Sequence, residues 1–412
     1  MNTCDTGVNG MRKGACRAMW LIGGAILLAA QIASAVEFST VASHTVWAAG
    51  YSEETGHQAN YVKPKWSPDG RLISFEIVAN KQRRLYVHNT AQGSSFEIDS
   101  QATSSAGGPI LMGGASQPTR AVANFDLDWF AGQAGKLVFV GSGNKGHFGL
   151  YGMDVTTGSA GKVNLLLGGN PQDPYIAFPE YHPEHDFLVY CQGANLQEGE
   201  EPRLDIYIND SVDQGRAKSL KESLSNVPQL EPAFSAQGTN VVFTGIEKGN
   251  NDIYTVGVRI SPISRNAVRI RQVKRLTNWP SPEGRAAWSP DGARIAFLSG
   301  KGQGKHEWGL WVMNANGTGK RKLVDRVRDD DYPEWHPDGN HIFFVKQKEE
   351  ERNPIQYVDI RDNKVKTLAT GTALHMQLDI SEDGSKIAFC SRGRDDDSDL
   401  TWLKLYVADL SK

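Results

Sequence analysis

A strand, a tight turn and a second strand follow one another in residues 286–297, which read Ala286-Ala287-Trp288-Ser289-Pro290-Asp291-Gly292-Ala293-Arg294-Ile295-Ala296-Phe297. Proline presets φ for a turn, aspartate bonds nearby backbone amides, and glycine takes the left-handed position that closes a hairpin. The β-branched and aromatic residues after the turn favour a strand. This stretch therefore predicts a β-hairpin.

The same signature occurs seven times, at intervals of 45 to 63 residues. Each copy begins with an aromatic or aliphatic residue that we call the anchor, and the anchors are Trp66, Trp129, Tyr181, Phe234, Trp288, Trp335 and Ile380. Each anchor is followed by an apolar run and then by an alternating one. A period in this range with several strands per repeat is typical of a β-propeller. We predict an all-β, seven-bladed β-propeller, with six blades as the alternative.

The two ends of the repeat region complement each other. The last repeat stops at Leu410 without an outer strand, whereas residues 44–49 precede the first anchor and belong to no blade. Pairing this N-terminal segment onto the seventh blade would close the ring and cover an open sheet edge. We therefore expect an N-terminal strand to complete the last blade.

Residues 1–35 have the pattern of a signal peptide. Arg12, Lys13 and Arg17 precede an apolar run over residues 18–32, and Ala33-Ser34-Ala35 forms a small-residue cleavage site. The apolar run of about fifteen residues is short for a bilayer span, which needs roughly twenty. We expect a signal peptide over residues 1–35, with Met1 or Met11 as the start, and a single propeller domain over residues 36–412. The mature chain would have no transmembrane segment and would be periplasmic or secreted.

Charge and cysteine content narrow the class of protein further. Residues 1–35 hold three basic groups and one acidic group, so their removal changes the net charge from −3 to −5, which does not suit nucleic-acid binding. Cys191 and Cys390 occupy equivalent strand positions of the third and seventh repeats, farther apart than the roughly 7 Å limit for a disulfide. We expect a monomer with two free, buried thiols.

The Ser-Pro-Asp-Gly turn and the Ile-Ala-Phe strand that follows it resemble the WD-like repeat of the TolB-like β-propeller family, over about residues 60–410. This resemblance implies a periplasmic binding scaffold. In TolB, the propeller docks the peptidoglycan-associated lipoprotein and inner-membrane components of the Tol system. The resemblance therefore implies a protein partner or a cell-envelope polymer as the ligand.

Two columns of residues in the inner strands are expected to face the channel mouth, where propellers concentrate binding residues. The first column stands just before the anchors and comprises Lys65, Asp128, Glu180, Ala233, Ala287, Glu334 and Asp379. The second column stands two residues earlier and comprises Lys63, Asp126, Phe178, Glu231, Arg285, Tyr332 and Gln377. Crowding of six carboxylates predicts an acidic binding mouth, with raised carboxyl pKa values or a divalent cation such as calcium. Alternatively, these carboxylates are solvated strand ends that pair with Lys63, Lys65 and Arg285.

An enzymatic alternative rests on other side chains of the same face. His57, His306, His375 and Gln377 map there from different blades and are candidate metal ligands. A fold-level resemblance to oligogalacturonate lyases implies a metal-assisted lyase or hydrolase acting on a polysaccharide. The sequence contains no Gly-x-Ser-x-Gly elbow, no His-Glu-x-x-His motif and no phosphate-binding loop. We therefore favour binding over catalysis, and we expect His182 and His336 to be turn residues.

Overall fold

The computed structural model shows seven four-stranded antiparallel sheets arranged as the blades of a propeller. It describes residues 37–46, 59–79, 82–98, 124–142, 148–155, 161–168, 175–193, 203–210, 218–220, 224, 227–260, 268–304, 307–330, 332–347, 353–394 and 402–411. No helix within these ranges combines the length and apolarity needed to cross a bilayer. The predicted all-β, seven-bladed architecture is confirmed.

Each blade uses consecutive strands from the channel outward, except the last. The N-terminal strand is β1 (Ser39–Val46). Blade 1 comprises β2 (Asn60–Trp66), β3 (Leu72–Ala79), β4 (Gln82–Asn89) and β5 (Ser94–Ile98). Blade 2 comprises β6 (Asn124–Trp129), β7 (Lys136–Ser142), β8 (Phe148–Asp154) and β9 (Val163–Gly168). Blade 3 comprises β10 (Tyr175–Tyr181), β11 (Phe187–Gly193), β12 (Leu204–Asp210) and β13 (Lys218–Ser219).

The remaining blades follow the same order. Blade 4 comprises β14 (Gln229–Phe234), β15 (Asn240–Glu247), β16 (Asn250–Ile260) and β17 (Val268–Arg275). Blade 5 comprises β18 (Glu283–Trp288), β19 (Arg294–Ser299), β20 (Trp308–Asn314) and β21 (Arg321–Val327). Blade 6 comprises β22 (Glu334–Trp335), β23 (His341–Val345), β24 (Ile355–Asp359) and β25 (Val365–Thr367). Blade 7 comprises β26 (Thr372–Ile380), β27 (Lys386–Arg394), β28 (Lys404–Ser411) and β1.

The N-terminal strand completes blade 7. β1 pairs antiparallel with β28, from Ser39 opposite Ser411 to Val46 opposite Leu405. The predicted closure is therefore confirmed, although residues 47–49 of the expected segment lie outside the described residues. Just before β1, Phe38 is buried against blade 6, with its ring 4.8–5.1 Å from four aromatic rings. This contact fixes the direction in which the closing strand enters.

A stacked aromatic pair joins the second and third strands of every blade. The ring centroids lie 5.2–6.5 Å apart, and the two residues of each pair face each other in the ladder. The pairs are Phe75–Tyr86, Phe139–Tyr151, Tyr190–Tyr207, Phe243–Tyr254, Phe297–Trp311, Phe343–Tyr357 and Phe389–Tyr406. Because aromatic cross-strand pairs stabilise antiparallel sheets, they fix the same register in all seven repeats.

The hydrophobic core is divided among the blade interfaces. The described residues form seven buried clusters, and each combines strands of two neighbouring blades. One of them packs Phe75 and Ile77 of blade 1 against Cys390 and Leu405 of blade 7, so the ring closes on itself. Cys191 and Cys390 are free and buried, as expected.

The Ser-Pro-Asp-Gly turns are held by a repeated local bond pattern. In the blade 5 turn, the hydroxyl of Ser289 donates to Asp291 at 2.5 Å and accepts from the backbone N–H of Arg294 at 2.9 Å. His182 takes the serine position in blade 3, where its Nδ1 accepts from the backbone N–H groups of residues 184 and 185. Its Nε2 lies 3.2 Å from the carbonyl oxygen of Gly238 in the next blade, so this histidine and its counterpart His336 are turn residues.

Candidate functional site

The inner strands carry a backbone bulge where the two columns meet the channel. The strand register shifts at this point in six blades, for example between Val62 and Lys65. In blades 1 to 5 the second-column residue has positive φ, from 46° to 55°, and these residues are Lys63, Asp126, Phe178, Glu231 and Arg285. Bulges re-aim side chains and are frequent next to functional sites. The bulge places first-column and second-column side chains around one opening.

First-column carboxylates bind the backbone of the following blade. The carboxylate of Asp128 accepts the N–H of Tyr181 at 2.7 Å, and that of Glu180 accepts the N–H of Phe234 at 2.7 Å. Asp379 of blade 7 likewise accepts the N–H of Trp66 at 2.6 Å and so crosses the closure of the ring. Each of these acids is therefore a latch between two blades.

Blades without a first-column acid use an indole latch. The indole N–H of Trp288 donates to the carbonyl oxygen of Ala233 at 3.1 Å, and that of Trp335 donates to Ala287 at 3.2 Å. In blade 1 the carbonyl oxygen of Lys65 accepts the indole of Trp129 at 3.3 Å. Glu334 lies half-buried at the first-column position of blade 6.

The second column forms two ion-paired groups. In the first, the ammonium of Lys63 binds Asp126 and lies 3.5 Å from Glu76, whose other oxygen binds Arg83 at 2.5 Å. The backbone N–H of Asp126 also donates to Glu76, at 3.0 Å. The backbone N–H of Lys63 donates to the side-chain oxygen of Gln377, at 2.6 Å.

The second group stands across the ring, in blades 4 to 6. The guanidinium of Arg285 binds Glu231, donates to the carbonyl oxygen of Asp329 at 3.0 Å, and lies 5.3 Å from the ring centre of Tyr332. The backbone N–H of Arg285 also donates to Glu231, at 3.3 Å. Burial raises the pKa of the Tyr332 hydroxyl well above its ordinary value, and the negative charge of Glu231 adds to this rise.

Lys65 is the centre of charge in the first column. Its ammonium lies 2.5 Å from Asp128 and also interacts electrostatically with Glu180 and Asp379. Partial loss of hydration inside the channel lowers the pKa of Lys65, but the attraction of these carboxylates outweighs it, so the net shift of the pKa is upward. Burial raises the pKa of Glu180 to about 8, with repulsion by Asp128 adding to the rise. Burial also raises the pKa of Asp379 to about 6, although the hydrogen bond from the backbone N–H of Trp66 acts to lower it.

The basic side chains of the two columns are more exposed to solvent than the acidic ones. The side chains of Lys63, Lys65 and Arg285 are 41%, 44% and 33% exposed, whereas those of Asp126 and Asp128 are 11% and 7% exposed. The latching acids face the protein, and the basic groups reach solvent. The side chain of Asp329 adds an exposed carboxylate at the rim, and Asp331 lies outside the described residues.

One site residue has no counterpart in the two predicted columns. Glu76 is 1% exposed and accepts bonds from Lys63, Arg83 and the backbone of Asp126. It lies in β3, whose sequence Leu-Ile-Ser-Phe-Glu-Ile-Val-Ala is otherwise largely apolar. A buried acid requires a partner, so a lone glutamate in an apolar strand is the signal that could have identified it.

The candidate metal ligands are not assembled within the described part of the chain. Both ring nitrogens of His375 are occupied, since Nδ1 lies 2.7 Å from the carbonyl oxygen of Asn353 and Nε2 lies 2.7–2.8 Å from two threonine hydroxyls. Gln377 bonds Lys63 and the carbonyl oxygen of Asp330. His57 and His306 lie outside the described residues. Among the described histidines, cysteines and acids, no group of three or more is placed to hold a metal ion.

Comparison with known proteins agrees with this architecture. Residues 261–406 match the TolB beta propeller domain. The Tol-Pal system protein TolB of Alcanivorax borkumensis is 32% identical over 62 residues, which is 15% of this chain and only 14% of that protein.

Solved structures with a similar fold include enzymes. The oligogalacturonate lyase of Vibrio parahaemolyticus superposes with a TM-score of 0.57 at 11% identity, covering 90% of this chain and 98% of the lyase. A puromycin-hydrolyzing peptidase of Mycobacterium tuberculosis gives 0.56 at 12% identity, covering 86% of this chain and 53% of the peptidase. At such identities the likeness concerns the fold alone.

Proposed function

Because residues 261–406 match the TolB beta propeller domain and the chain forms a seven-bladed propeller, we propose that it is an exported, periplasmic binding scaffold whose channel mouth receives a protein partner or a cell-envelope polymer. Residues 1–35 would be its signal peptide, and the mature chain would act as a monomer. The named TolB relative belongs to a Tol-Pal system, which supports a binding role over a catalytic one.

The observation that carries this proposal is the exposure of Lys63, Lys65 and Arg285 at the mouth. Their carboxylate partners are more buried and already bind backbone N–H groups of neighbouring blades. The solvent-facing groups can therefore recruit an anionic part of a ligand, such as a carboxylate, by charge-assisted hydrogen bonds. The expected acidic character of the mouth thus applies to its wall, and the groups offered to a ligand are largely basic.

The test compares the wild-type mature chain with a double variant that carries both Lys63→Gln and Arg285→Gln. Immobilised proteins would be incubated with a cell-envelope extract, and captured proteins and glycans would be identified and quantified. We expect the double variant to lose at least one species that the wild type retains. A matched control replaces the exposed Arg71 and Lys162, away from the mouth, by glutamine. Identical capture by all three proteins would contradict the proposal.

Lys65 is left unchanged in this test. Its removal would leave Asp128, Glu180 and Asp379 without their shared cation, and an uncompensated buried charge destabilises the fold strongly. A binding defect in such a variant could not be separated from a folding defect.

The metal-assisted lyase has weaker support. The lyase superposition covers nearly the whole of both chains, but His375 and Gln377 are committed to other bonds. Incubation with oligogalacturonate, with and without calcium, would test it through the absorbance of unsaturated products. We expect no product, and turnover that depends on calcium would replace the scaffold proposal with an enzymatic one.

A further inference from the structure

A row of basic side chains lies along the outer rim of blade 4. Strand β17 and the facing end of β16 carry four exposed cations that we call the basic edge: Arg259, Arg269, Arg271 and Lys274. Within the described ranges, none of the four forms an ion pair. Arg275 is not part of this group, because it binds Glu247 at 2.7 Å and Asp252 at 2.5 Å.

Protection of an open sheet edge does not account for this density of charge. One or two lysines are enough to discourage edge-to-edge pairing, and the outer strands β5 and β9 carry no basic residue. In β21, Lys322 and Arg326 have carboxylate partners at 2.7 and 3.2 Å, and Arg321 donates to the side-chain oxygen of Asn363. Blade 4 thus differs from these blades in the number of its edge cations that have no such partner.

The local structure maintains the basic edge against electrostatic repulsion. Arg259 and Arg269 face each other directly in the β16–β17 ladder, an arrangement that is destabilising for like charges. Gly257 accommodates the aliphatic stem of Arg271, because a Cβ atom there would lie 3.0 Å from Arg271 Cδ. An unfavourable pair that the fold retains calls for a compensating role.

A surface cavity of about 570 Å³ adjoins these side chains. Arg259, Arg271 and Lys274 line it, together with the polar residues Thr239 and Asn240 of the β14–β15 turn. None of the described residues lining the cavity is acidic. Guanidinium, ammonium, hydroxyl and amide groups around a depression are the donors that bind phosphate oxygens.

The basic edge runs from the end of the blade opposite the channel mouth, where Arg259 and Arg269 lie, to Lys274, which is level with Ala233 of the first column. β14 runs from the mouth, marked by Glu231, to the turn at residues 235–239. The backbone N–H of Val258, next to Arg259, donates to the carbonyl oxygen of Thr239 in that turn, at 2.8 Å. We propose that the basic edge docks the protein on an anionic phospholipid bilayer through lipid phosphate groups, with the outer rim of blade 4 lying against the membrane.

The shape and composition of the edge favour a bilayer over a soluble ligand. Residues 269–274 extend about 17 Å at roughly 3.3 Å per residue, which is longer than one phosphate and suits a row of headgroups. The edge has no aromatic residue, whereas protein-binding hot spots are enriched in tryptophan and tyrosine. Basic residues near an anionic membrane contribute about 1 kcal/mol each, or roughly fivefold in partitioning. Four cations therefore give weak, reversible and salt-sensitive docking.

The experiment is cosedimentation of the mature chain with vesicles. Phosphatidylglycerol vesicles should bind the wild type at low salt, pure phosphatidylcholine vesicles should not, and added salt should release the protein. The quadruple variant R259Q/R269Q/R271Q/K274Q should lose at least a hundredfold in partitioning. The charge-matched control R71Q/K162Q/R203Q/K364Q replaces four exposed cations of other blades and should bind at least tenfold more strongly than the edge variant.

Two further measurements keep the result decisive. The single variant R259Q relieves the repulsion with Arg269, so its melting temperature should equal or exceed that of the wild type, and reduced vesicle binding cannot then be attributed to unfolding. Inorganic phosphate should compete no better than chloride of the same ionic strength. The proposal is overturned by equal binding of the edge and control variants, by stronger competition from phosphate, or by binding of soluble polyphosphate without vesicle binding. None of these outcomes bears on the mouth.

Discussion

Above pH 6, the channel carboxyl group that contributes most to the pH dependence of folding stability should be that of Glu180, because its pKa lies above that of Asp379. The group lies on β10, accepts the backbone N–H of Phe234, and interacts with both Asp128 and Lys65. Burial raises its pKa from an ordinary 4.5 to about 8. A carboxyl whose pKa is higher in the folded than in the unfolded state binds its proton more tightly when folded. Its contribution is therefore present at low pH and is lost as the pH rises through about 8.

The substitution Glu180→Gln removes this titration and keeps a side-chain oxygen to accept from Phe234. The wild-type folded state binds nearly one more proton than the unfolded state at pH 6 and about half a proton more at pH 8, so linkage predicts a loss of about 2 kcal/mol in the free energy of unfolding. Glu283, with a pKa raised to about 7 by burial, titrates in the same direction. Burial lowers the pKa values of His88 and His182 to about 4, and their contributions have the opposite sign. All three are common to wild type and variant and cancel in the difference.

Urea unfolding of both proteins at pH 6, 7 and 8 measures this difference. The stability of the wild type relative to Glu180→Gln should fall by about 2 kcal/mol over that range. Glu184→Gln is the matched control, because Glu184 is an exposed glutamate in the turn of the same blade, and its difference from the wild type should stay constant. A constant difference for Glu180→Gln as well would refute a raised pKa at this position and the crowding of charge inferred around Lys65.

Three further predictions concern the scaffold. Gly238→Ala should lower the melting temperature more than Gly249→Ala does. Both glycines have positive φ, which costs alanine about 1 kcal/mol. Only at Gly238 would the added Cβ also clash with a buried histidine ring. Phe38→Ala should lower the free energy of unfolding by about 3–5 kcal/mol, because the Phe38 ring packs among aromatic rings that anchor the closing strand. A loss below about 1 kcal/mol in urea titrations would contradict that role. Cys191 and Cys390 should react with a maleimide only after denaturation, since both are 0% exposed, and native labelling detected by mass spectrometry would disprove their burial.

The repeat count and ring closure could be predicted from sequence because they depend on local chemistry. The turn residues recur with the anchors, and the spare N-terminal segment has one vacant edge to fill. The outer strands are harder to locate from sequence, and β17 (Val268–Arg275) is an example. Outer strands are half-exposed and carry weak patterning. In β17, apolar and basic residues alternate over Val268–Arg271, and the alternation shifts at Gln272.

The geometry of the candidate site could be predicted only in part. The columns were expected to face one mouth, yet the positive φ values fall on Lys63, Asp126, Phe178, Glu231 and Arg285. Only the aspartate among them belongs to a residue type that is enriched in the left-handed region. The bulge arises where an inner strand must bend toward the channel, and that requirement comes from the ring as a whole. Partner choice is equally non-local, since Asp126 and Glu76 belong to neighbouring blades and only the ring brings them together.

Because several acids of the mouth bind neighbouring blades, the number of acids in the sequence does not predict the charge that the mouth exposes to solvent. Every pair of neighbouring blades must join two inner strands that share no ladder bonds. A carboxylate bonded to a backbone N–H meets this need between blades 2 and 3, 3 and 4, and 7 and 1, while an indole bonded to a carbonyl meets it between blades 4 and 5 and between 5 and 6. Acid and tryptophan are therefore alternative solutions to one structural task. An acid used in this way has one oxygen directed at the protein, whereas the cation that balances it can remain exposed, as Lys65 does beside Asp128. The exposed positive charge of this mouth thus belongs to the cations that pair with its more buried acids.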